Sequence, residues 1–67
     1  MPVFCERLKE LRLANNLSSV KLAKELQVDF GTICRWERGE RVPSIIHLRN
    51  IAVFFKVSAD YLIGLED

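Results

Sequence analysis

A single histidine, His47, and two cysteines, Cys5 and Cys34, are all this chain offers in imidazole or thiol ligands. Their spacing matches no zinc or Cys-x-x-Cys pattern, so neither a metal site nor a cofactor is expected. In a reducing compartment the two cysteines are expected as thiols rather than a disulfide. No hydrophobic run approaches the roughly 20 residues a membrane span needs. The start, MPVFCERLKE, lacks the basic region and apolar run of a signal peptide, which makes the cytoplasm the expected location. No glycine-rich phosphate loop is present, the acidic residues are scattered, and His47 has no obvious partner. Catalysis and a small-molecule substrate are therefore not expected. Alternation at period two, internal repeats and low-complexity segments are missing too, which argues against strands, solenoids and linkers.

What is there is apolar residues in quantity. Almost half of the 67 residues are hydrophobic, enough for one compact core. The margin is thin, because a chain this size buries only about 60% of the surface its unfolded form exposes. Net charge is +1, low for a nucleic-acid binder. Residues 1–41 carry eight Lys/Arg against six Asp/Glu, and residues 42–67 two against three. The positive charge is biased to the first two-thirds.

Apolar residues recur at three and four, the helical period, and predict an all-α domain of five short helices. The first covers about residues 3–15, with Phe4, Leu8 and Leu11 on one stripe and Asn15-Asn16 ending it. Ser18 caps a second helix to about Leu26 that buries Leu22, Ala23 and Leu26. After Gln27-Val28, Asp29 caps a third helix that ends at Gly39. Pro43 keeps 41–43 a loop. Ser44 caps a fourth helix over 45–55, with Ile45, Leu48, Ile51, Ala52 and Phe55 inward. Ser58 caps a last helix through Leu62, and Gly64 ends it.

The second and third helices are so closely joined that they must cross steeply, the helix-turn-helix arrangement, here at about 19–38. That arrangement suits double-stranded DNA: a helix fits the major groove, and its N-terminal residues reach base edges. At ERLKELR, LSSVKLAKELQV, TICRWERGERVPS and VSADYLIGLED the sequence resembles the Cro/phage-repressor (Xre-type) helix-turn-helix family over nearly the whole chain. The resemblance implies a single DNA-binding domain over 1–67 with a lambda-repressor-like five-helix fold. It implies that Leu22 and Ala23 pack against Ile33, where a side chain larger than Ala23 would overpack the crossing. It also implies an ion pair between Arg12 and Glu37 that holds architecture rather than DNA.

By the same resemblance Phe30, Gly31, Thr32 and Arg35 match the family's base-contacting positions. Arginine to guanine is the commonest specific major-groove contact, though Arg35 could instead clamp a phosphate. Thr32 could meet phosphate or a thymine methyl. Phe30 and Gly31 depart from the polar residues usual there; Phe30 suits either a thymine methyl or a protein contact. Trp36 shares a face with Ile33 and is expected in the core. Phosphate contacts are expected from Ser18, Ser19, Lys21, Arg38, Arg41 and Ser44, at helix N-termini or beside the third helix. Ser19 stands where the family often has the longer glutamine, and Gln27 where it usually has a turn glycine. Cys34 lies near Arg35 and Arg38, which could make it oxidation-sensitive, or it is a small side chain standing for the family's serine.

Ile46, Val53 and Phe54 lie outside the inward stripe, and Ile63 and Leu65 extend the apolar tail. This much unaccounted apolar surface predicts a homodimer through the fourth and fifth helices and the tail. The leading expectation is a sequence-specific transcriptional regulator, a repressor binding a pseudopalindromic operator as a dimer. The alternatives are a protein-interaction module of the same fold with weak DNA binding, and a DNA-binding antitoxin.

Overall fold

Phe4, Leu8 and Leu11 recur at four and three, so one face of the first helix is apolar and turns inward. In the computed structural model, which describes residues 2–67, this helix is α1, Pro2–Ala14. It is followed by α2 (Ser19–Leu26), α3 (Phe30–Glu37), α4 (Ile45–Phe55) and α5 (Ala59–Ile63). No strand occurs among the described residues. All five helices contribute to one core: Phe4 and Leu8, Leu22, Ala23 and Leu26, Ile33 and Trp36, Ile51 and Ala52, and Leu62. Ala23 is nearly fully buried where α2 meets α3, and its single methyl group lets the two backbones come close.

The starts of α2, α4 and α5 share a serine cap, and that of α3 does not. Ser18, Ser44 and Ser58 each accept a hydrogen bond from the backbone N–H three residues on, at Lys21, His47 and Tyr61. Such a bond satisfies a donor the helix itself cannot. Asp29 occupies the corresponding position before α3, but its side chain makes no capping bond. Only its backbone carbonyl engages the first turn, accepting from Thr32 and Ile33.

The helix ends follow a single pattern. Asn16, Gln27, Gly39, Lys56 and Gly64 all have a left-handed backbone, with φ between 58° and 89°. At each, the next residue's N–H reaches back five positions, and the left-handed residue's own N–H reaches back three. This paired closure satisfies the terminal carbonyls and turns the chain sharply. Only two of the five residues are glycine. Gln27, φ 58° and ψ 45°, makes the α2–α3 turn in the left-handed conformation that glycine adopts most readily.

A side chain in that conformation costs about 1–2 kcal/mol, partly offset by the extra unfolded-state freedom glycine brings. Gln27→Gly is therefore expected to stabilise the domain by about 0.5–1 kcal/mol. Thermal unfolding followed by circular dichroism checks this. A variant no more stable than the parent would show that the side chain at 27 contributes contacts of equal worth.

Two residues of the predicted inward stripe and its complement sit differently. Ile45 was expected inward and is 85% exposed. It is the first residue of α4, and helical side chains lean toward the N-terminus, so at this position the side chain extends past the end of the helix rather than onto the core. Phe54, expected outside, is half-buried and packs edge-to-face on Phe55 with ring centroids 4.9 Å apart.

The C-terminal segment is fastened to α1. Arg7 donates through Nη1 to the carbonyl oxygens of Tyr61 and, at 2.6 Å, Glu66. Its guanidinium carbon stands 4.3 Å above the Tyr61 ring. Gly64 lies so close to Val3 that a Cβ there would come within 3.1 Å of Val3 Cγ1, and its φ of +89° excludes most other residues independently.

Candidate nucleic-acid interface

α3 is amphipathic over only eight residues, and its two faces have different tasks. Ile33 and Trp36, three apart, are buried. Trp36 packs edge-to-face on Phe4 of α1 (6.5 Å, 80°) and against His47 of α4 (5.4 Å, 58°). It therefore joins three helices. The far end of α3 is fixed by Glu37, whose carboxylate accepts from Arg12 Nε at 2.7 Å and Nη2 at 3.0 Å. Arg12 Nη1 also donates to the carbonyl of Leu17, 3.0 Å away, in the α1–α2 turn. The Glu37 hydrogen bond pushes the Arg12 guanidinium above its already high ordinary pKa, against the opposing effect of burial.

With its inner face held by Ile33, Trp36 and Glu37, α3 turns the opposite face to solvent. Phe30 is 51% exposed, Gly31 and Thr32 are partly exposed, and Arg35 is exposed. The helix start lacks a side-chain cap, which leaves the amides of Phe30 and Gly31, ahead of the two that bond to the Asp29 carbonyl, open to an outside acceptor. Beside it lies an open cleft of about 510 Å³, lined among others by Thr32, Arg35, Arg41, Ser44 and His47. Those residues come from α3, the 38–44 connection and the start of α4. The cleft thus brings Thr32 and Arg35 together with Arg41 and Ser44.

The other candidates are spread along the same elements. Ser18 accepts the capping bond of α2 through Oγ, which leaves its O–H able to donate, and Ser19 is half-buried in the first turn. Lys21 is exposed and 3.4 Å from Glu25, an i,i+4 surface pair that contributes little and leaves the amine available. Arg35, Arg38 and Arg41 belong to neither of the two ion pairs among the described residues. Cys34 is half-buried on α3, and neither cysteine is in a disulfide.

One lining residue was not anticipated. His47 has two partners that sequence reasoning did not see: the Trp36 ring, and the Ser44 hydroxyl 3.1 Å from Nδ1. The Ser44–His47 spacing of three, directly after a proline loop, was the available signal. On the apolar side, Ile46, Val53 and Leu65 are 68%, 69% and 73% exposed, while Ile63 is half-buried. No described helix is long and apolar enough to cross a membrane, and no described cluster of His, Cys, Asp and Glu could hold a metal.

Comparison with known proteins agrees with this architecture. Residues 8–62 match the family model described as Helix-turn-helix. The chain is 38% identical over 64 residues to the HTH-type transcriptional activator BcrR of Enterococcus faecalis, covering 96% of this chain and 31% of that protein. It is 31% identical over 65 residues to the uncharacterised HTH-type transcriptional regulator YobD of Bacillus subtilis (strain 168), covering 97% and 58%. It therefore spans about a third and under three-fifths of these relatives. Among solved structures, a transcriptional regulator from Listeria innocua superposes with a TM-score of 0.87 at 31% identity, covering 96% of this chain and 60% of that one. The restriction-modification controller protein C.AhdI from Aeromonas hydrophila superposes with a TM-score of 0.81 at 31% identity, covering 91% and 92%. A five-helix body that pins one face of α3 and bares the other, matched over most of its length in sequence and in shape, places this chain in the Cro/phage-repressor (Xre-type) helix-turn-helix family.

Proposed function

We propose that the chain is a sequence-specific DNA-binding transcriptional regulator that inserts α3 into the major groove. The observation carrying this reading is the division of α3 into a buried face and a bare one that presents Phe30, Gly31, Thr32 and Arg35 beside the Arg41–Ser44 cleft. Arg35 reads a guanine through its paired donors, and Thr32 and Phe30 contact thymine methyl or phosphate. Lys21, Arg38 and Arg41 contact phosphates as cations; Ser18, Ser19 and Ser44 do so at the starts of α2 and α4. A homodimer through Ile46, Val53, Phe54, Ile63 and Leu65 places two copies of α3 about one helical turn apart, on a pseudopalindromic operator. Occupancy of an operator that overlaps a promoter excludes polymerase, the repressor arrangement, and requires no catalysed step.

Selection of bound duplexes from a random pool, followed by titration at several salt concentrations, tests the proposal. Three cations per protomer give a dimer slope of log K against log salt of about −5. Arg41→Ala is expected to reduce that slope by about two units in a dimer, leaving the preferred sequence unchanged. Arg35→Ala is expected to cost about 1–3 kcal/mol per protomer and to relax one base pair per half-site. Binding that is weak, flat with salt and indifferent to sequence would sink the proposal and favour a protein-interaction role. Light scattering measures the dimer directly: a monomer at high micromolar concentration would refute the interface, and a stable complex only with a foreign protein would point to an antitoxin.

A further inference from the structure

Gly31 is the one glycine inside a described helix. Its φ is not positive, so its backbone freedom is not what the fold uses. What stands against it is the head group of Arg35. A Cβ built on Gly31 would lie 3.4 Å from Arg35 Nη1, 3.7 Å from Nη2 and 3.8 Å from Cζ. The guanidinium therefore lies over the point where a side chain at 31 would begin.

The helix explains how it gets there. Residues four apart share a face, and helical side chains lean toward the N-terminus. An arginine leaning that way ordinarily meets the side chain one turn back. Here no side chain at 31 meets it, and the charged head is carried to the first turn of α3, over the residue next in sequence to the half-exposed Phe30. Glycine is a poor helix former, and in a helix of only eight residues its presence at the second position calls for such a use.

We propose that Gly31 determines specificity by its missing side chain. It forms a berth that holds the Arg35 guanidinium at the N-terminal end of α3, where Phe30 and Arg35 together read a thymine beside a guanine. Guanine offers two acceptors to a paired donor in the major groove, and thymine offers a methyl group to an apolar side chain. Phe30 and the berth are consecutive in sequence, so the two bases belong to neighbouring pairs. This rests on the DNA-binding reading above.

The test compares Gly31→Ala, Gly31→Gln and Gly31→Leu with the parent by fluorescence anisotropy on the duplex the parent selects. Guanine-substituted duplexes, and one with deoxyuridine in place of the neighbouring thymidine, complete the set. All three substitutions raise helix propensity, and circular dichroism verifies that each variant is folded. Alanine adds one carbon at ordinary contact distance and is expected to keep the guanine preference. Glutamine and leucine fill the berth and are expected to lower that preference about tenfold or more, as Arg35→Ala does, with the salt slope unchanged. Deoxyuridine, lacking the methyl group, is expected to weaken the parent several-fold and to leave Phe30→Ala unaffected. A folded Gly31→Leu that selects the parent's sequence with undiminished preference overturns the berth. A selected site with no thymine beside its guanine overturns the role of Phe30. A parent that selects no sequence overturns the DNA-binding reading itself, which is a separate failure.

Discussion

Glu37→Ala is expected to destabilise the domain by about 3 kcal/mol, at the lower end of what breaking a buried ion pair costs, because this pair is largely but not fully covered. The two side chains are 11% and 10% exposed, and the carboxylate takes two of the guanidinium's donors in a paired geometry. Removing it leaves a cation in a site shaped for a neutral pair. Arg12 cannot relieve that cost by losing its proton. An arginine stays protonated across the working range even without Glu37. In the parent the hydrogen bond to Glu37 raises its pKa further, so its contribution there is fully present below the unfolded value and is lost only as pH rises through the still higher folded value. That window lies far above neutrality, and Arg12 itself adds no pH dependence across the working range. For a domain of this size the expected loss is roughly 12–24 °C in melting temperature. Replacing both residues, Arg12→Met with Glu37→Leu, is expected to recover much of it, since no charge is then left buried. A Glu37→Ala melt within a few degrees of the parent would show that the pair is solvated in effect and architectural only in appearance.

Trp36→Ala is expected to be more damaging, about 3–5 kcal/mol, the usual range for deleting a buried aromatic side chain. A domain of this length has roughly 3–10 kcal/mol of stability in all, so the variant is expected to be largely unfolded at 37 °C. Position gives the effect its size. Trp36 touches Phe4 and His47, and its loss opens a void where α1, α3 and α4 meet. Trp36→Phe keeps the edge-to-face contact with Phe4 and is expected to remain folded. Trp36 is the only tryptophan, so fluorescence follows unfolding of the parent, and circular dichroism serves the variants. A folded Trp36→Phe that loses its preferred DNA sequence would move this residue from the core to the reading face.

Much of this architecture was legible in the sequence because it is local. Serine caps act three residues away, and the stripes Phe4–Leu8–Leu11 and Leu22–Ala23–Leu26 repeat within two turns. Where the sequence reading erred, the deciding fact was not periodic. Ile45 continues the stripe of α4 but stands at its first residue, where a side chain has no core beneath it. Asp29 has the right type and position for a cap, yet its carboxylate does not turn back to the helix. The fastening of Arg7 to the carbonyls of Tyr61 and Glu66 links residues 54 and 59 apart, beyond any local pattern. The bare face of α3 could be placed by elimination once Ile33 and Trp36 were assigned inward. That Arg35 lies over Gly31 could not, because spacing names the pair without saying which way the guanidinium folds.

The five matching helix ends have a consequence for motion and heat. At each corner the amide of the residue after the left-handed one, at Leu17, Val28, Glu40, Val57 and Leu65, is bonded back into the helix it leaves. These amides belong to connections, where rapid hydrogen exchange is the ordinary behaviour, yet their bonding back into the helix is expected to slow exchange to the rate at which the helix end opens. The joints are set before any partner arrives. Docking then demands little ordering of the body, and a calorimeter would record a heat-capacity change that comes from the surface being covered rather than from folding of the chain.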